Sequence, residues 1–500
     1  MSTNSVRTFN DSPDPAPPRE PAQINDRPGD TEDQRATVLR HVGPPSSRGS
    51  DVALSAGRAL RSVAGGRLGT LPVTLRFWDG SELTAEEPSG DAPKLIIRSP
   101  AAIADLLHAP GQIGLTRAWL NGTLELDGDL EAVLRTRQRF QDLHISPSER
   151  ARLALAAARI AGLEALRRPP VPSIEASLAG QRHTPARDRE AVRHHYDVSN
   201  DFYRLVLGPS MVYSCAYFAT PDDTLEEAQE RKLDLICRKL SLTPGERFLD
   251  IGCGWGSLVL HAARNYDVRS VGITLSGPQA QLARARIREA GLDDQVEVRV
   301  ADYREVLDGP FDKIASVGMY EHVGRRELDS YVHAVRRLLA PGGVFLNHGI
   351  ARLDSRPSGP NTFITRYVFP DGELHPVSDL IGALQTAGLE PRDLESLREH
   401  YPLTLRRWAA NLEAHRDLAI ADAGEARERV WRLYMLACAQ AFEAGEITVY
   451  QTVATQPGAP HPLPLDRTEL LHTRTAARQP LRSTPERGRP TLDLLGPSNS

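Results

Sequence analysis

Phe248-Leu249-Asp250-Ile251-Gly252-Cys253-Gly254-Trp255-Gly256 decides how the chain is read. An apolar run ends at Asp250, a glycine-rich turn follows at once, and Ser257-Leu258-Val259-Leu260-His261-Ala262-Ala263 continues with helical spacing. That order predicts a strand, a tight turn and a helix. Glycines at 252, 254 and 256 let the backbone turn sharply and approach a ligand closely. A turn of this kind opening a helix suits a nucleotide-like ligand at the carboxyl end of a parallel strand. The spacing is not the dinucleotide fingerprint, because glycines fall at every second position and the later glycine of that fingerprint is missing. An ordinary strand-turn-helix of an α/β domain is the alternative reading of these residues.

Downstream, strands and helices alternate. Residues 270–275, 296–300, 311–317 and 344–348 read as strands, and 277–291 and 328–339 as helices, which implies a parallel, doubly wound sheet. Upstream, Val73 to Ser81 reads as a strand entering a turn at Asp79-Gly80, Lys94 to Arg98 as a second strand, and Ser99-Pro100 as the opening of a helix. The expected organisation is a disordered tail over 1–50, a small α+β and helical domain over 51–168, a Pro/Ser/Gly linker over 169–187, the main domain over 188–457 and a disordered tail over 458–500. The helix from Ser148 to Arg168 is rich in Ala, Leu and Arg. It reads either as a basic amphipathic surface for anionic lipid or as an ordinary helix with solvated arginines.

The 500 residues suggest about two or three domains. A net charge of −5 gives no indication of nucleic acid as a partner. The four cysteines, at 215, 237, 253 and 438, form no C-x-x-C pair, so neither a disulfide scaffold nor a zinc site is indicated, and no metal is expected. The N-terminus lacks an apolar h-region and no apolar run approaches the ~18 residues needed to span a bilayer. The expectation is a cytoplasmic protein that meets lipid from the water side, at the inner face of the cell membrane.

The pattern Asp250-x-Gly252-x-Gly254-x-Gly256 resembles motif I of class I S-adenosylmethionine methyltransferases. Further groups extend the likeness: His195-Tyr196-Asp197 with Asn200-Asp201, Met211 to Phe218, Ile273-Thr274-Leu275-Ser276 with Gln279, Ser316 to Gly324, Phe363 to Gly372, and His400-Tyr401 with Thr404, Leu405 and Trp408. In this order and with these gaps they resemble the cyclopropane-fatty-acyl-phospholipid synthase family, which includes the mycolic acid cyclopropane synthases. The likeness covers roughly residues 190 to 455 and reaches more weakly into the small domain.

The resemblance implies a Rossmann-like methyltransferase fold, S-adenosylmethionine as cofactor, and bound bicarbonate as the base. An isolated alkene is a poor nucleophile, so the methyl donor must be strongly electrophilic, and the carbocation that results must be kept from water and lose a proton to a nearby base. By position, the bicarbonate cradle falls on Cys215 and Ile350 through backbone groups and on Glu321, His348 and Tyr401 through side chains. The cofactor contacts fall on Tyr213, Ser214, Asp250, Gly252, Gly254, Gly256, Thr274, Ser276, Gln279, Tyr303 and Arg304. Each catalytic candidate has a plainer reading: Glu321 as a helix-opening carboxylate, His348 as a satisfied core imidazole, Tyr401 as a packed phenol. Cys438 aligns with a cysteine often labelled as an active-site residue in the family, yet alkene methylation needs no thiolate, and a small buried apolar role suits it. Phe363, Ile364, Tyr367, Val368, Phe369, Leu403, Leu405 and Trp408 would form either an acyl slot or a core cluster.

The implied partners are unsaturated phospholipid acyl chains and the membrane surface, with a homodimer compatible. A rival outcome from the same cation is a methylene-branched chain, which would require a flavin or NADPH reductase partner. A small-molecule O- or N-methyltransferase and a non-catalytic SAM- or lipid-binding protein are the remaining alternatives.

Overall fold

The computed structural model describes residues 40–41, 52–64, 73–84, 93–135, 146–177, 182–196, 198–353 and 362–468. Most of the two terminal stretches read as disordered, and Asp197 of the His195-Tyr196-Asp197 group, lie outside these residues.

The N-terminal region carries β1 (Arg40–His41), β2 (Thr74–Arg76), β3 (Glu82–Thr84), β4 (Lys94–Ile97) and β5 (Leu124–Asp127) in the order β1-β3-β2-β4-β5. The Asp79-Gly80 turn is present: Gly80 has a φ of 82°, and Phe77 N–H donates to Ser81 O at 2.9 Å. The helix Pro147–Ala161 starts at a capping box in which Ser146 and Glu149 satisfy each other's backbone N–H, as S-x-x-E before an apolar run predicts.

The main domain is built on β6 (Arg247–Ile251), β7 (Arg269–Thr274), β8 (Val296–Val300), β9 (Phe311–Val317), β10 (Leu339–Arg352), β11 (Glu390–Ser396) and β12 (Ile447–Thr455), in the order β11-β12-β10-β9-β6-β7-β8. All neighbouring pairs from β10 to β8 are parallel, whereas β12 runs antiparallel to both β10 and β11. Strands covered on both faces are apolar throughout. Phe248 of β6 packs with the helices Leu225–Lys239 and Ser257–Tyr266 on one face, while Leu249 and Ile251 pack with the helix Leu328–Leu338 on the other. Chain order reverses between β6 and β9, which opens a crevice at their carboxyl ends.

Three helices between β11 and β12, His400–Ala414, Arg416–Ala423 and Glu425–Glu443, join the helix Asn200–Leu207 in a second core around Trp408, Trp431, Tyr203 and Phe202. Trp255 of the glycine turn belongs to this core. Its ring lies 4.7 Å from that of Tyr203, and its Nε1 donates to Asn200 Oδ1 at 2.8 Å. Turn and helical cap are thereby fixed to one another. Among the described residues no helix is long and apolar enough to cross a membrane.

Candidate cofactor and catalytic site

A cleft opens at the carboxyl ends of β6, β7, β8 and β9. Gly252 and Gly254 take φ values of 85° and 53°, a region closed to most side-chain-bearing residues, and the amides of Gly252 and Cys253 both donate to Ile273 O at 2.9 Å. The turn is thus folded back on β7, and Asp250 is brought to the cleft at 2 % exposure. Its Oδ1 is buried with no hydrogen-bond partner among the described residues. Burial pushes the Asp250 carboxyl up to about 7, against the opposing pull of Lys232.

Tyr213, Ser214, Gly252 and Gly254 line the cleft with Asp250, and Thr274, Gln279, Tyr303 and Arg304 line it further along. Thr274 Oγ1 donates to Gln279 Oε1 at 2.9 Å. Arg304 pairs with Asp302 at 2.7 Å and Asp188 at 3.0 Å, and its guanidinium sits 5.2 Å from the Tyr303 ring centre. The structure sets Gly256 and Ser276 behind the residues that line the cleft. Gly256, with φ 80°, begins the helix Ser257–Tyr266, and a Cβ there would lie 3.1 Å from Ala283 Cβ. Ser276 caps the helix Gly277–Glu289 through Gln279 N–H.

The proposed catalytic residues do not line this cleft; they gather beside it. Gly318 and Met319 line the cleft, and Glu321 follows them on the same loop. Glu321 Oε1 accepts from Ile350 N–H at 2.7 Å, while Oε2 is buried and has no partner among the described residues. The Ile350 amide is therefore engaged by Glu321. Burial raises the Glu321 carboxyl to about 7, opposed by the Ile350 hydrogen bond. His348 on β10 has Gln451 Nε2 3.2 Å from its Nδ1, and its Nε2 is buried with no partner among the described residues. Burial, with Lys232 and Lys239 nearby, keeps this imidazole neutral. Tyr401 opens the helix His400–Ala414 and is close enough to Cys215, Glu321 and Cys438 to feel each of them, and burial first of all pushes its phenol well up. Cys215 is fully buried; burial pushes its thiol up, and its Sγ lies 3.3 Å from Ala216 O, so it is not a thiolate nucleophile. Cys438 is half-buried on the helix Glu425–Glu443.

The residues read as an acyl slot or a core cluster form one apolar body with these groups. Phe363, Tyr367, Val368, Leu405 and Trp408 are buried in the same cluster as Cys215 and Tyr401, with Ile364, Phe369 and Leu403 packed against it.

Sequence reading missed Gln229 and Lys232. Both lie on the buried stripe of the helix Leu225–Lys239, at 0 % and 1 % exposure, and Lys232 lines the cleft. Gln229 Nε2 donates to Ser214 O at 2.9 Å, and Lys232 Nζ to Ser214 Oγ at 2.7 Å. The signal was available: two polar residues stand where helical spacing from Leu225 and Ala228 calls for apolar ones. His322 was missed as well. It lines the cleft, and burial, helped by His183, lowers it to about 4.

The profile of the mycolic acid cyclopropane synthetase family matches residues 183–452. A probable fatty acid methyltransferase of Pseudomonas putida is 40% identical over 414 residues, covering 80% of this chain and 96% of that protein. The cyclopropane-fatty-acyl-phospholipid synthase of Escherichia coli K12 is 36% identical over 371 residues, covering 73% of this chain and 88% of that one. Among solved structures, mycolic acid cyclopropane synthase CmaA1 complexed with SAH and CTAB is similar at 35% identity and a TM-score of 0.51, covering 53% of this chain and 98% of that chain. With a profile spanning more than half of its length and relatives matched nearly end to end, the chain belongs to the mycolic acid cyclopropane synthetase family and is an S-adenosylmethionine-dependent methyltransferase.

Proposed function

We propose that the chain transfers a one-carbon unit from S-adenosylmethionine to the cis double bond of an unsaturated acyl chain in a membrane phospholipid and closes a cyclopropane ring. The observation that carries this reading is that Glu321 Oε2 and His348 Nε2 are buried with no partner among the described residues, while Tyr401, close enough to Glu321 to feel it, sits in the apolar cluster around Trp408. An O- or N-methyltransferase for a water-soluble metabolite has no need of that apolar body. Buried polar atoms of this kind call for a partner.

The lining fits the cofactor: Asp250 offers an acceptor that is unpartnered among the described residues, Tyr303 an aromatic face, and Gly252 and Gly254 a close backbone. When bound, S-adenosylmethionine supplies an electrophilic methyl on sulfur. Glu321, His348 and Tyr401, with the backbone at Cys215, would hold a small anion such as bicarbonate, which would supply a base. The chain's own residues prepare the place. His348 Nδ1 lies 3.2 Å from Gln451 Nε2; where Nδ1 accepts from that amide, the ring proton would sit on Nε2 and be offered to an anion. Glu321, raised to about 7, can carry a proton at neutral pH, so two negative groups need not face each other. Tyr401 keeps its phenol proton and donates. Trp408, Tyr367, Phe363 and Leu405 exclude water from a cation formed beside them.

The membrane-facing surface we assign to the helix Pro147–Ala161 and the turn after it. Leu155, Leu163 and Val171 are 53%, 81% and 47% exposed there, alongside exposed Arg150, Arg152, Arg159, Arg167 and Arg168. This would hold the protein on the inner face of the membrane.

Purified protein incubated with labelled S-adenosylmethionine and oleoyl phospholipid vesicles tests the reading. Mass spectrometry should find the lipid heavier by a methylene, and proton NMR should show high-field ring signals. Label that enters only water-soluble products would refute it. The higher identity to a protein named fatty acid methyltransferase than to the Escherichia coli synthase favours keeping the branch-forming outcome as second reading. It predicts vinylidene protons instead, and a reductase partner using flavin or NADPH.

A further inference from the structure

We propose that Lys232 and Ser214 form a carboxylate-reading arm of the cofactor cleft, set against Asp250, so that the amino-acid end of the cofactor is recognised as a zwitterion. This rests on the cofactor reading of the cleft and adds a residue to it. Lys232 is 1 % exposed, lines the cleft and donates from Nζ to Ser214 Oγ at 2.7 Å. A hydroxyl has one proton and two lone pairs. With a lone pair occupied by the ammonium, the Ser214 proton is left to donate, and among the described residues Ser214 Oγ meets no acceptor for it. That proton is available to a ligand in the cleft, which Ser214 lines, and the donor is strengthened by the cation behind it.

Asp250 is the counterpart. Its Oδ1 is buried and, among the described residues, unpartnered; it does not bond the ammonium. A buried carboxyl and a buried ammonium that share one cleft and are not joined to each other leave each open to a ligand group. An α-amino acid supplies both groups, with its carboxylate towards Ser214 and Lys232 and its ammonium towards Asp250. Gln229, one turn before Lys232, holds the Ser214 carbonyl at 2.9 Å, so the arm is fixed at backbone and side chain alike.

Calorimetric binding to the full chain tests this with two probes, S-adenosylhomocysteine and methylthioadenosine. The second keeps the nucleoside and the thioether and lacks the amino acid. Lys232→Met should weaken S-adenosylhomocysteine about ten- to hundredfold, as loss of a charged hydrogen bond does, and should leave methylthioadenosine within about twofold. Ser214→Ala should discriminate in the same direction, which covers the case in which Lys232→Met fails to fold. The groups that face Lys232 are Cys215 on the neighbouring segment, Asp250 on β6 and His348 on β10. Burial lowers Lys232 to about 8, so wild-type affinity for S-adenosylhomocysteine should fall as pH rises through that value, and Lys232→Met should lose this fall. Equal loss for both probes, or none for either, would overturn the arm while leaving the cofactor reading in place. A wild type that binds neither probe would overturn the cofactor reading and the arm together.

Discussion

Glu321→Gln should make the protein more stable and nearly inactive at once. The carboxyl has an ordinary pKa of 4.5 and rises to about 7 in the folded chain, chiefly because burial disfavours its charge. The sign follows from linkage. Below 4.5 the group is protonated in both states and costs nothing. As pH climbs towards 7 the unfolded chain releases the proton and the folded chain does not, so stability is lost. Above 7 the loss is complete, at about 3 kcal/mol. Glutamine keeps a carbonyl for the Ile350 N–H that Glu321 Oε1 now accepts at 2.7 Å. Its new amide N–H is left unpartnered where Oε2 was, at about 1 kcal/mol. The net gain is about 2 kcal/mol at pH 8 and close to zero at pH 5. Urea unfolding at both pH values measures it. Turnover should fall by about two to four orders of magnitude, as for loss of a group that holds and orients the base. Affinity for S-adenosylhomocysteine should stay within about twofold, because Glu321 does not line the cleft. A variant less stable than wild type at pH 8, or a gain independent of pH, would refute the burial argument. Parallel loss of affinity and turnover would refute the separation of the two sites.

Tyr401→Phe should fold normally, since the ring packs at 4.6 Å from Phe442 and 6.2 Å from Trp408, but lose turnover by about tenfold or more at unchanged S-adenosylhomocysteine affinity. Cys438→Ala, by contrast, should retain turnover in the same assay, because no thiolate is needed. Gly256→Ala should lower the unfolding free energy by about 1–3 kcal/mol, from a positive φ and a 3.1 Å approach to Ala283 Cβ, while calorimetry at low temperature finds near-normal cofactor binding. Leu163→Asp should reduce sedimentation with anionic vesicles and leave methyl-donor binding alone, since Leu163 is 81% exposed and remote from the cleft lining.

What could be read from residue order depended on how each element is covered. β6, β7, β9 and β10 pair in parallel and are largely buried, so they appear as apolar runs, β8 at the sheet edge alternates apolar and charged residues, and the glycine turn announces the crevice. β11 is exposed at alternate positions along Glu390-Pro391-Arg392-Asp393-Leu394-Glu395-Ser396, and its charges conceal it. β12 is central yet buries Thr448, Gln451, Thr452 and Thr455, so a polar composition hides a core strand. Within the site, a glycine that meets ligand and one that only permits a helix start are the same letter: Gly254 lines the cleft and Gly256 does not. Lys232 was concealed differently. The run Gln229-Glu230-Arg231-Lys232 has the look of a solvated face, and only the three-dimensional register shows that Gln229 and Lys232 point inward while Glu230 points out.

The cofactor cleft and the proposed anion cradle share walls, and this constrains what any change can do. Ser214 faces the cleft and Cys215, the next residue, belongs to the cradle; consecutive Cα atoms are ~3.8 Å apart, so covalent geometry alone sets that spacing. Gly318 and Met319 line the cleft, Glu321 serves the cradle from the same loop, and Gly318 N–H donates to His348 O at 2.8 Å, which ties that loop to β10. Gln229 and Lys232 then fix the first segment from behind through the Ser214 carbonyl and hydroxyl. A methyl donor seated in the cleft and an anion in the proposed cradle would thereby be spaced through backbone that the two sites share. Substitutions in the Val212–Cys215 support should therefore lower turnover by more than they lower cofactor affinity, because reaction is far more sensitive to small misplacement than binding is.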